Sequence, residues 1–380
     1  MIASTRRVLD AVPRVGFYPD VKGHGGKPWP EDVIFPSCMR AVMEHLGHPE
    51  YDYIHFVGVT GAGFFLNWKD GWHPDNCAIY FMVPFDQHVK LFEYAFDSTG
   101  YAMDFAAIKG HQAIDEAQAK RRIIASIDAG KPIMSHGIVG PPETCLICGY
   151  DEAGDVLIGW SFFQSVPHCS TGVEFESNGM FRKRDWYTNA WDLFALGERG
   201  APVDPSIVRR QSLEWAVKVV RTRETWDGRK NNGLTAYDAW ADHLLRDGEI
   251  TPDGKPPRDG EQSPFGVHDD FVGIVAEARW YAAKYLARVA GEEPKMAVEL
   301  YEAAACYARE HDLMWQVWGC VGGNGRSPEH VRRFADSEAR RRIVELVREA
   351  RRLDEQAIEH IEKALATIQS GQPPEDCPAI

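Results

Sequence analysis

From residue 337 to 368 one apolar stripe recurs at helical spacing: Ile343, Leu346, Val347, Ala350, Leu353, Ala357, Ile358, Ile361 and Leu365. Arg and Glu fill the other faces. A segment patterned this way must form a long helix and bury one side of it. The stripe is too short and too broad for a strict coiled-coil seam. Packing within the chain is therefore expected, with a contribution to a homo-oligomer left open. The same period marks helices at 206–224, 234–246, 268–289, 294–310 and 328–336. The stretch 249–267 is rich in Pro, Gly and Asp and reads as a long exposed loop. Composition shifts at Gly200-Ala201-Pro202-Val203-Asp204-Pro205. Two domains are expected, 1–203 and 204–380.

The first half is mixed. Strand-like runs occur at Tyr53–Val59, Cys77–Val83, Pro132–His136, Cys145–Tyr150 and Val156–Trp160, each rich in β-branched and aromatic residues. Helical patterns intervene at 38–46, 87–97 and 114–129. The reading is an α+β domain followed by an all-helical one. A net charge of -14 repels phosphate backbones, so nucleic acid is excluded as an expected partner. There is no run of about 20 apolar residues, so no membrane span is expected. Met1-Ile2-Ala3-Ser4-Thr5-Arg6-Arg7 lacks an apolar core of signal-peptide type. Eight cysteines are scattered without a disulfide framework, which fits reduced thiols in a cytoplasm.

One cysteine stands out. In Val33-Ile34-Phe35-Pro36-Ser37-Cys38-Met39-Arg40, Pro36 and Ser37 read as helix-start signals, and Gly47 reads as a stop. Cys38 is then expected in the first turn. Free N–H groups and the helix dipole would hold its pKa below about 8.5 and favour a nucleophilic thiolate. The alternative is a small buried apolar residue.

Three features follow Cys38. Gly58-Val59-Thr60-Gly61-Ala62-Gly63-Phe64-Phe65 allows tight turns and close backbone approach to a ligand, but lacks the Lys of a phosphate-binding loop. Gly130-Lys131-Pro132-Ile133-Met134 is a helix end feeding a strand. Glu143 through Trp160 reads as a hairpin turning at Asp151–Gly154. In this order the set resembles the papain-like fold of bacteriocin-processing cysteine peptidases. It is more similar still to the N-terminal domain family of the butirosin-biosynthesis acyltransferase. The resemblance spans about residues 30–165. The helical half resembles the helical extension attached to such domains.

The resemblance implies Cys38 as nucleophile, with small-molecule substrates and an acyl carrier protein or other acyl donor as partners. It implies no cofactor. Departures from the pattern limit what carries over. The family's general-base His position holds Glu143, its supporting Asp position holds Trp160, and the oxyanion Gln position holds Asp32. A carboxylate replaces imidazole as a base only where burial raises its pKa. Strand alternation points Glu143 and Cys145 toward Cys38 and turns Cys148 away. That spacing argues against a metal held by Cys145 and Cys148.

Three functions follow. The leading one is cysteine-dependent acyl transfer or amide-bond chemistry, with Glu143 as acid/base or as ligand of a substrate amine. In that reading Asp32, Gly61, Gly63, Phe64, Cys145, Trp160 and Gln164 line the substrate. The second is a non-catalytic, ligand-binding relative. The third is a cysteine hydrolase in which His136 supplies the imidazole. Trp72 and His73 sit in a polar loop that reads equally as a substrate lid or as plain surface. His55, Asn231-Asn232-Gly233 and the Trp315/Trp318 pair read as core, turn or helix-packing residues.

Overall fold

The computed structural model describes residues 5–23, 26–77 and 90–369. In chain order its first elements are β1 (Arg7–Val8), α1 (Ile34–His45), α2 (Tyr53–Val59), β2 (Asn67–Lys69), α3 (Lys90–Thr99), β3 (Tyr101–Ala107) and α4 (Glu116–Asp128). Then come β4 (Ile133–His136), β5 (Thr144–Asp151), β6 (Val156–Trp160), β7 (Val173–Phe175), β8 (Phe181–Arg184) and β9 (Asp192–Arg199). The remainder is α5 (Pro205–Arg221), β10 (Lys230–Asn232), α6 (Leu234–Leu244), α7 (Pro264–Glu292), α8 (Ala297–Val321), α9 (Pro328–Ala335) and α10 (Ser337–Gln369). Contacts divide the chain into Met1–Phe56 with Phe92–Asp204, and Val57–Leu91 with Pro205–Ile380. The second unit thus takes in a segment that the sequence places with the first. Of the Cys77–Val83 run, residues 78–83 lie outside the described residues, as do 87–89 of the helical pattern at 87–97.

The first unit is a mixed α/β structure. Its sheet has the order β3-β9-β4-β5-β6-β8-β7, with β1 also pairing β5, and each of these pairings is antiparallel. β4 takes the first half of one edge of β5 and β1 takes the second half. β5 is buried at every position but its last, so its two faces are both covered. That is why Cys145-Leu146-Ile147-Cys148 is a continuous apolar run rather than an alternating one. α1 and α4 pack on β5. α4 is opened by a capping box, in which the Asp115 carboxylate accepts from Gln118 N and the Gln118 side chain accepts from Asp115 N.

The second unit is helical. α7 and α8 form a hairpin, and α10 packs along α8 and against α6 and α5. Its core joins the apolar stripe of α10 to Trp68, Trp72, Trp240, Phe271 and Phe334. At its centre lies a buried polar network. Arg279 Nη2 reaches Asp354 at 2.7 Å and Arg279 Nε reaches Glu310 at 3.2 Å. Tyr307 donates to Asp354 at 2.9 Å, and Tyr237 donates to both Asp354 and Glu310. Arg279 Nη1 also donates to the Gly63 carbonyl at 2.7 Å.

This arrangement explains the glycine loop and one misread element. Tyr53–Val59 is helix rather than strand. A β-carbon on Gly58 would stand 2.2 Å from the Tyr285 ring, and one on Gly61, at φ +79°, would stand 2.6 Å from Trp215. The glycines are there for close packing onto the helices of their own unit. The loop after α6 is exposed through most of its length, yet both ends are anchored: Trp72 donates to Glu249 at 3.1 Å and Gln262 N donates to the Trp72 carbonyl at 2.8 Å. No helix among the described residues is long and apolar enough to cross a membrane.

Candidate active site

Cys38 is not at the start of its helix. α1 begins at Ile34, and Ser37 N already donates to the Val33 carbonyl at 3.1 Å. The ladder is therefore closed one residue before Cys38, which falls in the second turn. Its N–H is committed to the helix and is no oxyanion donor. The thiol is 0% exposed. Burial pushes its pKa well above the usual thiol value; the charge of Cys145 adds to the rise, and Arg40 opposes it only in part. The first-turn position and the lowered pKa expected from sequence are both overturned. Ile34 to Met43 are all buried, so the cost of desolvating a thiolate outweighs what the helix dipole supplies.

The neighbouring thiols behave alike. Burial raises Cys145 to about 11 and lifts Cys148 further. A register shift between Ile147 and Gly149 makes Cys148 an extra residue in β5, which breaks the alternation assumed from sequence. Cys145 and Cys148 both oppose ionisation of Cys38. Iodoacetamide near neutral pH should therefore modify the partly exposed Cys169, Cys306 and Cys320 at least roughly tenfold faster than Cys38, Cys145 and Cys148. Peptide mapping of a time course checks this, and early selective labelling of Cys38 would contradict it.

Glu143 precedes β5, in the hairpin loop closed by Gly137 N donating to the Glu143 carbonyl at 3.1 Å. The residue is half-buried, and desolvation pushes its carboxyl up to about 7, with His136 opposing. The charge of Glu143 also acts on Cys38 and Cys145. Glu143, Cys38, Cys145 and His136 thus share one neighbourhood of the first unit.

His136 is the best-organised group there. It is 2% exposed at the end of β4. Its Nδ1 lies 2.9 Å from both carboxylate oxygens of Asp192, and its backbone N–H donates to the same side chain at 3.0 Å. Nε2 lies 3.1 Å from Thr144 Oγ1. The rings of Phe92 and Phe194 flank the imidazole at 5.5 and 5.2 Å. Neither Asp192 nor Thr144 stands out in the sequence. Each opens a strand, and only the β9-β4-β5 order brings them to His136.

The other expected residues are placed as follows. Asp32 accepts from Tyr18 N at 2.9 Å, and burial raises it to about 7, with the Glu31 charge adding to the rise. A carboxyl near 7 carries about half its charge at neutral pH, so Asp32 and Glu143 are each a weaker anion than an ordinary carboxylate. Trp160 pairs with Leu146 across the sheet, the Arg14 guanidinium lies 5.5 Å from its ring, and its buried indole N–H has no hydrogen-bond partner among the described residues. Gln164 is held locally: Oε1 accepts from Ser161 N at 3.0 Å and Nε2 donates to the Gly179 carbonyl at 2.8 Å. Gly61, Gly63 and Phe64 belong to the second unit, where Phe64 packs on Tyr307 with ring centroids 5.6 Å apart. Among the described residues no group of three or more His, Cys, Asp or Glu is arranged to hold a metal ion.

Comparison of the sequence with protein-family models and with curated proteins returns no match.

Proposed function

We propose that the first unit performs acyl-transfer or amide-bond chemistry on a small, amine-bearing molecule, on a papain-like scaffold. His136, oriented by Asp192, is the base. Glu143 is the second proton-transfer group and faces the substrate amine. The acyl donor is a carrier-bound or other activated acyl group. One observation carries this reading: the imidazole is fixed by a carboxylate at 2.9 Å. The Glu143 carboxyl, whose charge acts on that imidazole, is pushed by burial up to about 7. A pair of acid–base groups tuned this way suits proton transfer at neutral pH.

A second reading keeps Cys38 as the nucleophile, the role that the resemblance implies; its helix α1 packs on β5, the strand that Glu143 precedes. Its burial and raised pKa then require Glu143 to take the proton as attack occurs.

Glu143→Gln tests the proposal with a small amine-bearing aryl ester as probe. Proton transfer by Glu143 predicts a loss of about a hundredfold in kcat with little change in KM. If the Glu143 carboxylate takes a proton from the amine, wild-type kcat should climb as pH rises through about 7; if its protonated form gives one to the leaving group, kcat should fall there, and in either case the Gln variant should lose the change. A raised KM with unchanged kcat would leave Glu143 as an amine ligand only. Absence of turnover in the wild type would reduce the unit to a binder.

A further inference from the structure

We propose that Thr144 is the nucleophile of this site, acting in a Thr144–His136–Asp192 arrangement; this rests on the acyl-chemistry reading above. His136 and Thr144 are directly opposed across β4 and β5, so the sheet register itself presents the two side chains to each other. The hydroxyl oxygen lies 3.1 Å from Nε2, and Nδ1 lies 2.9 Å from the Asp192 carboxylate. A carboxylate facing Nδ1 keeps a proton on that nitrogen. Nε2 is then the lone pair, and the Thr144 hydroxyl donates into it. Hydroxyl, imidazole and orienting carboxylate within hydrogen-bond reach are what activates a weak nucleophile. The β-branched side chain has few rotamers, which holds the oxygen in line. Phe92 and Phe194 keep the surroundings apolar, where such hydrogen bonds are strongest.

The chemistry balances without an added oxidant or reductant. Thr144 Oγ1 attacks the carbonyl carbon of an ester or thioester, and its proton passes to His136 Nε2. The new C–O bond forms, the bond to the leaving group breaks, and His136 returns the proton to the departing oxygen or sulfur. Asp192 stays ionised throughout. The acyl-threonine ester then passes its acyl group to an amine or to water, with His136 taking and returning the incoming proton. Thr144 and His136 are each 2% exposed, so the acyl group proposed for Oγ1 is a small one such as acetyl.

The test is acetylation of the full chain by p-nitrophenyl acetate, followed by release of p-nitrophenol and by peptide mapping. The expected result is an acetyl ester on Thr144. Thr144→Ser should keep the adduct on the same peptide, and Thr144→Val should abolish it. Asp192→Asn should slow its formation at least tenfold with an unchanged circular dichroism spectrum. A purely structural Thr144 would give no ester adduct, whatever the stability of the variants. An adduct on Cys38 that persists in Thr144→Val would overturn the Thr144 assignment and leave the acyl-chemistry reading standing. Release of p-nitrophenol equal to that of the unfolded chain would overturn both. If Thr144→Val does not fold, the mapped adduct on the wild type and on Thr144→Ser still decides.

Discussion

Arg279→Leu is expected to destabilise the helical unit by about 3–5 kcal/mol, the usual result of removing one partner from a buried ion pair. The reason lies in what remains. Asp354 would lose its 2.7 Å partner while staying fully buried, and the Gly63 carbonyl would lose its donor. Glu310→Gln should cost far less. Burial raises the Glu310 carboxyl to about 8, so near pH 7 it is mostly protonated and an amide of similar shape replaces it. A carboxyl raised from 4.5 to about 8 by folding binds its proton more tightly in the folded chain. Its stabilising contribution is full below about 4.5 and is lost as pH rises through about 8. Urea midpoints of the helical unit between pH 5 and 8 should therefore fall with rising pH, and Glu310→Gln should flatten that slope. An Arg279→Leu variant within about 1 kcal/mol of wild type would show that the network is not held by charge.

The contrast between this network and the Cys38 region shows where sequence reasoning reaches and where it stops. The helices of the second half follow from apolar period alone, because each buries one stripe against the others. α10 spans Ser337–Gln369 where the stripe predicts 337–368. The hairpin of β5 and β6 is equally legible, since apolar runs and the Asp151–Gly154 turn lie next to each other in the chain. What fails is local register. Pro36 and Ser37 look like start signals, but Pro36 is tolerated inside the first turn, where its missing N–H is not needed. The true start at Ile34 moves Cys38 from the first turn into the second. One turn of error reverses the expected direction of the thiol pKa. Tyr53–Val59 misleads in a different way. Its β-branched and aromatic residues suit a strand, but Asp52 caps a helix there by accepting from His55 N at 2.9 Å. The glycines after it carry the look of a ligand loop, and Gly58 and Gly61 are packed closely on Tyr285 and Trp215. Asp192 lies 56 positions from His136, and no local pattern joins them. Their meeting is a product of strand order, which a single sequence does not declare.

That meeting sets the largest functional effect. His136→Ala and Asp192→Asn should each lower kcat on a small acyl probe by about two to four orders of magnitude, the range that a positioned acid–base group contributes. The two should act through one group, so the double variant should be little worse than His136→Ala alone. Asp192→Asn is the sharper test of orientation. The amide keeps the size of the carboxylate but can present a donor to Nδ1, which pushes the proton to Nε2 and removes the lone pair that faces Thr144. KM should change much less than kcat, because neither change touches the Glu143 carboxyl, which is proposed to face the substrate amine. The paired hydrogen bonds of Asp192 to the ring and to His136 N also support the β4–β9 pairing, and losing the charge there costs about 1.5–3 kcal/mol of stability. Activity must therefore be compared at a temperature where both variants are folded. If Asp192→Asn, folded by circular dichroism, keeps more than a tenth of wild-type kcat, the imidazole is a core residue pinned by its neighbours. The proton transfers would then have to be assigned to Glu143 and Cys38.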